Sequence, residues 1–261
     1  MASKTDVRLS QLSFSYGRTP VLSEISLTAS AGEFLAIVGP NGCGKSTALK
    51  LVAGLYRPAS GAVYIGDTPV TGLSRKQLAH QVALLTQAGT APVNMTVRDL
   101  IGMGRFAHQS LLSRRSREDE AKIAEAMFAM DVQSLHDRRV GELSGGQLQR
   151  CRMAMTLAQD SSVLLLDEPT TYLDLKYQYG ILEKARDQAR RGKTVIAVLH
   201  DFTQAALYAD RVAVFHQGRL HGIGKPDEVL TTETVREVFD VATFAVQSHG
   251  ITIHLPEQAR A

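Results

Sequence analysis

The chain has 261 residues, 44% of them hydrophobic, enough to bury a sizeable core in one or two domains. Lys and Arg number 29 against 26 Asp and Glu, a formal net charge of +3, too mild for the dense basic footprint of a nucleic-acid-binding surface. The two cysteines stand far apart, outside any CxxC or His–Cys cluster, which excludes a disulfide framework or zinc site and fits a reducing cytosol.

In chain order, residues 7–16 and 21–28 alternate apolar and polar around "YGRTP", predicting an antiparallel pair that closes on Tyr16. "FLAIVG" reads as a buried strand, followed by a Gly-rich turn and a helix over "KSTALKLVAGL"; "GAVYIG" and "VALLTQ" read as further strands. From about Met95 to Asp160 the strand signals stop. There "TVRDLIGMGRF", "REDEAKIAEAMFAM" and "GGQLQRCRMAMTLAQ" carry helical spacing, a helical insert that divides an α/β core into two halves sharing one sheet. "SVLLLD" and "TVIAVLH" are near-continuous apolar runs of the kind a parallel sheet covered on both faces requires. "RVAVFHQGRLHGIG" predicts a hairpin turning at Gln217 and Gly218, and the tail from Pro226 adds a short helix and two strand-like pieces. The opening residues lack the apolar region of a signal peptide and no apolar run approaches ~18 residues, so any membrane part is expected on another chain.

Chemistry concentrates first in "GPNGCGKST", Gly39 to Thr47, a P-loop pattern with a strand before it and a helix after. Gly39, Gly42 and Gly44 let the backbone wrap a triphosphate of ATP or GTP, Lys45 reaches the β- and γ-phosphates, and the Ser46 hydroxyl can ligate Mg²⁺. "VLLLDEP" places Asp167 and Glu168 where an apolar strand emerges at the sheet edge, Asp167 suited to Mg²⁺ and Glu168 to the attacking water. His200 closes "TVIAVLH" in the same edge series and is assigned to the γ-phosphate and water, although a lone histidine at a strand end also serves structure. Gln87, closing "VALLTQ", reads as a Mg²⁺ and water ligand, and Tyr16 as either a strand aromatic or a stacking surface for adenine. Cys43, within a loop of converging N–H groups, is expected to have a lowered pKa and to react with thiol reagents from which ATP protects it; the alternative is a small filler. The arginines of "SRRSRED", Arg114, Arg115 and Arg117, read as a solvated helix start, with a lipid or phosphate patch as the alternative. "LSGGQLQR" raises a separate question, because Ser144, Gly145 and Gly146 open a helix and form a second anion site.

With "GPNGCGKST", "LSGGQ", "LLLDEP" and "LHD" in this order, the chain resembles the ATP-binding subunits of ABC transporters over nearly its full length. The resemblance implies a P-loop NTPase ABC ATPase fold, α/β, with a RecA-like core, an N-terminal antiparallel β subdomain and a helical signature subdomain. Residues 1–90 and 160–225 form the core, 91–159 the helical part and 226–261 the tail. It makes Tyr16 the A-loop aromatic, Gly39, Pro40, Asn41, Gly42, Cys43, Gly44, Lys45, Ser46 and Thr47 the Walker A loop, and Gln87 the Q-loop. Ser144, Gly145, Gly146 and Gln147 become the signature, Asp167 and Glu168 Walker B and the catalytic glutamate, Asp174 the D-loop aspartate, and His200 the switch histidine. It further implies ATP and Mg²⁺ as cofactors, and a head-to-tail homodimer in which the signature of one copy contacts the γ-phosphate held by the other. A membrane permease and, indirectly, a substrate-binding protein are the implied partners, nucleic acid is not, and the implied location is the cytoplasmic face of the inner membrane. "TVRDLIGMGRFAHQS" resembles importers of ferric siderophores, haem and vitamin B12, with ferric siderophore the leading cargo. Thr86, Ala107 and Leu148 depart from that group's usual proline, proline and arginine. A soluble ATPase of iron–sulfur cluster assembly is the alternative from another class.

Overall fold

The computed structural model describes residues 5–87, 92–109, 115–248 and 250–257. Val7, Leu9, Leu12 and Phe14 of β1 (Val7–Tyr16) are buried, and the break in their alternation falls at Gln11, whose φ of 45° marks a bulge that returns Leu12 to the inner face. A two-residue turn at Gly17 and Arg18 leads into β2 (Thr19–Ala29), pairing Tyr16 with Thr19. β3 (Phe34–Val38) is buried throughout and is followed by the Gly-rich turn and α1 (Lys45–Val52). β4 (Ser60–Ile65) and β5 (Thr68–Pro69) then join the antiparallel sheet, so "GAVYIG" does not enter the parallel core. α2 (Arg75–Gln81), held by a capping box at Ser74, precedes β6 (Val82–Leu85).

The helical segment contains α3 (Val97–Gly102), α4 (Arg117–Ala129) and α5 (Gly145–Ala158). The helix expected over 96–106 tightens after Gly102 into a 3-10 stretch, Met103–His108. The cause is close packing. A Cβ on Gly104 would lie 2.2 Å from the Met155 carbonyl, while buried Arg105 is drawn into an ion pair with Asp119 at 2.8 Å and donates to the Ala158 carbonyl. β7 (Val163–Asp167), α6 (Leu175–Arg190), β8 (Thr194–Val198), α7 (Phe202–Tyr208), β9 (Arg211–His216) and β10 (Arg219–Gly224) follow. α8 (Pro226–Val229), α9 (Thr232–Phe239) and the hairpin of β11 (Thr243–Ser248) and β12 (Ile251–Pro256) end the described chain.

A four-stranded antiparallel sheet runs β2-β1-β4-β5, and a six-stranded sheet runs β10-β9-β3-β8-β7-β6, parallel except for β10. β3 lies between β9 and β8, so strands from before and after the helical segment interleave in one sheet. Alternation along β3, β7 and β8 sends Phe34, Ala36, Leu164, Leu166, Val195 and Ala197 into a core shared with α4, α5 and α6. Leu35, Ile37, Leu165, Ile196 and Val198 face α1 and the antiparallel sheet. Each buried Val, Leu, Ile or Phe side chain among these contributes roughly 1.5–3 kcal/mol, so packing on both faces fixes the sheet whose carboxyl ends carry the site.

Candidate active site

The turn after β3 is shaped by backbone that side chains would obstruct. A Cβ on Gly39 (φ +155°) would meet the Phe215 carbonyl at 2.2 Å, and one on Gly44 (φ +100°), the residue capping α1, would meet the Leu22 side chain at 2.4 Å. Lys45 is buried, and its ammonium donates to the carbonyls of Gly39 and Pro40, each at 2.8 Å. This turn walls a cavity of about 660 Å³ lined by Tyr16, Asn41, Gly42, Gly44, Lys45, Ser46, Thr47, Gln87, Glu168 and His200. Tyr16 is 46% exposed, its ring set edge-on against Phe14 and Tyr56 and its hydroxyl 3.4 Å from Thr47 Oγ1. That hydrogen bond holds the phenol below its ordinary pKa. Tyr56 was not singled out from sequence; it stands in the Gly54–Pro58 turn region with no motif around it.

Across the cavity, the end of β7 presents the two carboxylates. Ser46 Oγ donates to Asp167 Oδ1 at 2.7 Å. Burial raises the pKa of Asp167 despite that bond, and the neighbouring charge of Glu168 pushes the same way. Glu168 adopts φ +52°, rare for a residue with a side chain, and its N–H donates to the Val198 carbonyl. Its Oε2 accepts from Gln87 Nε2 at 2.5 Å and its Oε1 lies 2.6 Å from His200 Nε2. His200 sits two residues past the end of β8 rather than on the strand, and Asp201 caps α7 by accepting from the N–H groups of Thr203 and Gln204. Three chain segments thus converge on one carboxylate.

The lowered pKa expected for Cys43 is not found. The thiol is buried, and burial raises its pKa above the ordinary value, outweighing the attraction of Lys45. Cys151 is likewise pushed up by burial, to about 11. Among the "SRRSRED" arginines, Arg117 is the exposed first residue of α4, Arg115 pairs with Asp99 at 3.2 Å, and Arg114 lies outside the described residues.

Ser144 caps α5 in a capping box: its side chain accepts from the Gln147 N–H, while the Gln147 side chain accepts from the Ser144 N–H. Ser144, Gly145, Gly146, Gln147 and Asp174 line a separate cavity of about 460 Å³ with Arg150, Tyr172 and Tyr177, and none of these residues lines the first cavity. Asp174 is the residue before α6 and makes no side-chain capping bond there. A Cβ on Gly145 would meet nothing within 4 Å, so the helix start is open to an approaching group. The two cavities are lined by different residues of the chain.

The family model for ABC transporter matches residues 22–171. The chain belongs to the ABC transporter family. The ferric enterobactin transport ATP-binding protein FepC of Escherichia coli (strain K12) is 39% identical to this ABC protein over 234 residues, 89% of this chain and 86% of FepC. The hemin import ATP-binding protein HmuV of Nocardia farcinica (strain IFM 10152) is 44% identical over 219 residues, 84% of this chain and 75% of HmuV. Among solved structures, the dimeric ATP-binding cassette MJ0796, in a post-hydrolysis state bound to ADP and Pi, matches with a TM-score of 0.75 at 27% identity, over 84% of this chain and 98% of that one. The ABC ATPase fold expected from the sequence is the fold observed.

Proposed function

We propose that this ABC ATPase is the energising subunit of an importer for an iron complex, a ferric siderophore foremost, working as a homodimer beneath a separate membrane permease. The convergence of Gln87 and His200 on Glu168 beside Lys45 and Ser46 carries the catalytic part of this reading. Similarity to the ferric enterobactin and hemin subunits supports the cargo class, and similarity to the dimeric cassette supports the pairing of two copies. Among the described residues no helix is long and apolar enough to cross a membrane. In this proposal the permease, loaded by a substrate-binding protein, holds the ATPase at the cytoplasmic face of the membrane.

The site's chemistry follows from its donors. Adenine stacks on Tyr16, and the Lys45 ammonium exchanges the Gly39 and Pro40 carbonyls for β- and γ-phosphate oxygens, with the N–H groups from Asn41 to Thr47 around them. Ser46 and Asp167 offer hard oxygen ligands side by side and Gln87 an amide oxygen, a donor set that fits Mg²⁺. Mg²⁺ held by these residues would supply charge neutralisation for the phosphates. Glu168 orients the attacking water and draws its proton as the water oxygen bonds to the γ-phosphorus and the bond to the β–γ bridging oxygen breaks, leaving ADP and phosphate. His200, released from Glu168, donates to the γ-phosphate. Ser144, Gly145 and Gly146 of a second copy complete the site, with Asp174 at the same face, because the first cavity holds no signature residue of its own chain.

The test is affinity purification of tagged Glu168→Gln protein from gently solubilised membranes in ATP and Mg²⁺. Recovery of a many-helix permease is expected. A soluble iron–sulfur scaffold without any membrane protein overturns the transport reading while leaving the ATPase in place.

A further inference from the structure

Helix α5 touches both segments that carry the Gln87–Glu168 pair. Arg152 Nη2 donates to the Thr86 carbonyl at 2.7 Å and to the Thr86 hydroxyl at 3.0 Å, one residue before Gln87. Gln149 Nε2, buried, donates to the Pro169 carbonyl at 3.1 Å, one residue after Glu168. Residues 149 and 152 are three apart and share a helix face, so one rigid surface grips the backbone on both sides of the 2.5 Å Gln87–Glu168 hydrogen bond. The same helix begins with the signature, where Ser144 caps it five residues before Gln149.

Arg152 also stands out energetically. Burial lowers its pKa, and it forms no ion pair with a carboxylate among the described residues. A part-buried cation without a carboxylate is not needed to fill a helix face, and its Nη2 is directed at a single threonine.

We propose that Arg152 and Gln149 are positioning residues that transmit the placement of the signature end of α5 to the Gln87–Glu168 pair. A shift of α5 when its N-terminus meets a phosphate then moves Thr86 and Pro169 together, setting the distance between Gln87 and Glu168. Neither side chain lines the nucleotide cavity, so each acts through its neighbour. The proposal rests on the ATPase reading above.

The experiment is steady-state ATP hydrolysis by the full chain, with ATP affinity and Tm measured beside it. Arg152→Met is expected to lower kcat roughly tenfold with ATP affinity unchanged, because a small misplacement of a catalytic group is felt in turnover before binding. Arg152→Lys, which can still donate to the Thr86 carbonyl, is expected to recover most of the rate. In a Gln87→Ala background, Arg152→Met is expected to cost less than about twofold more, since its route to Glu168 is already cut. General structural damage instead multiplies with Gln87→Ala, and that result overturns the proposal, as does a folded Arg152→Met protein with unchanged kcat. Should Arg152→Met fail to fold, Thr86→Val carries the same test: a drop of about threefold in kcat that vanishes in the Gln87→Ala background supports the role, and an unaltered or independent effect overturns it. A wild-type chain that does not hydrolyse ATP overturns the functional reading and this role with it, whereas wild-type turnover with insensitive variants overturns this role alone.

Discussion

Glu168 stands at φ +52° with its carboxylate shared between Gln87 and His200, a conformation of order 1–3 kcal/mol above a relaxed one. Removing its negative charge while keeping its shape separates chemistry from binding. Glu168→Gln is expected to lower ATP turnover by about 100-fold or more, the scale of a lost general base, with ATP affinity retained, as measured by steady-state hydrolysis and nucleotide titration. Cys43 leads to the opposite expectation from the one its loop suggests. With its pKa raised by burial, the thiol stays neutral at pH 7, so alkylation is expected to be slow with or without ATP and to rise only above the ordinary thiol range; rapid labelling at pH 7 that ATP prevents contradicts this. The phosphate loop and the Asp167–Glu168 pair were legible in sequence because glycine spacing and a buried strand dictate their geometry locally. The raised Cys43 pKa was not, because burial beneath the loop depends on β2 and β9 packing over it.

At the scale of elements, strands and helices with strong apolar periodicity were read correctly, and the misreadings have physical causes. α2 has no buried residue and so no apolar stripe to announce it, and capping at Ser74 is the signal that marks it; α6 does carry a stripe, with Ile181, Leu182, Ala185 and Ala189 buried along one face, and that spacing was in the sequence to be read. The 3-10 stretch after α3 is set by contacts with α4 and α5 that no local pattern contains. The meeting of Gln87, Glu168 and His200 required the strand order, since they follow β6, β7 and β8, three neighbours in the sheet. A junction of elements also yields a pH test. Asp160 joins α5 to β7; burial raises its pKa, but hydrogen bonds from Lys193 and Lys122 outweigh that and lower it to about 2. Its stabilising contribution is therefore complete above the ordinary value of 3.8 and is lost as pH falls toward 2. Because the side chain is 38% exposed, solvent screening reduces the effect to about 1 kcal/mol. Asp160→Asn is expected to unfold at lower denaturant than wild type at pH 7, with the difference shrinking between pH 4 and pH 2; a constant difference across that range contradicts the assignment.

For the whole molecule, the decisive feature is that the Lys45 cavity and the Ser144 cavity share no residue. In the proposed head-to-tail homodimer each Lys45 cavity meets the partner's signature, so that nucleotide binding joins the copies and hydrolysis releases them, a two-state cycle suited to driving the proposed permease. The arrangement demands complementation in trans. Lys45→Met removes the phosphate ligand and leaves the signature whole, while Ser144→Arg blocks the signature and leaves the phosphate loop whole, so each protein alone is expected to be inactive. The measurement is ATP hydrolysis by an equal mixture of the two. Random pairing makes half the dimers mixed, each with one intact site of two, so turnover is expected to recover to roughly a quarter of wild type. A mixture no more active than either variant alone contradicts a site built from two copies.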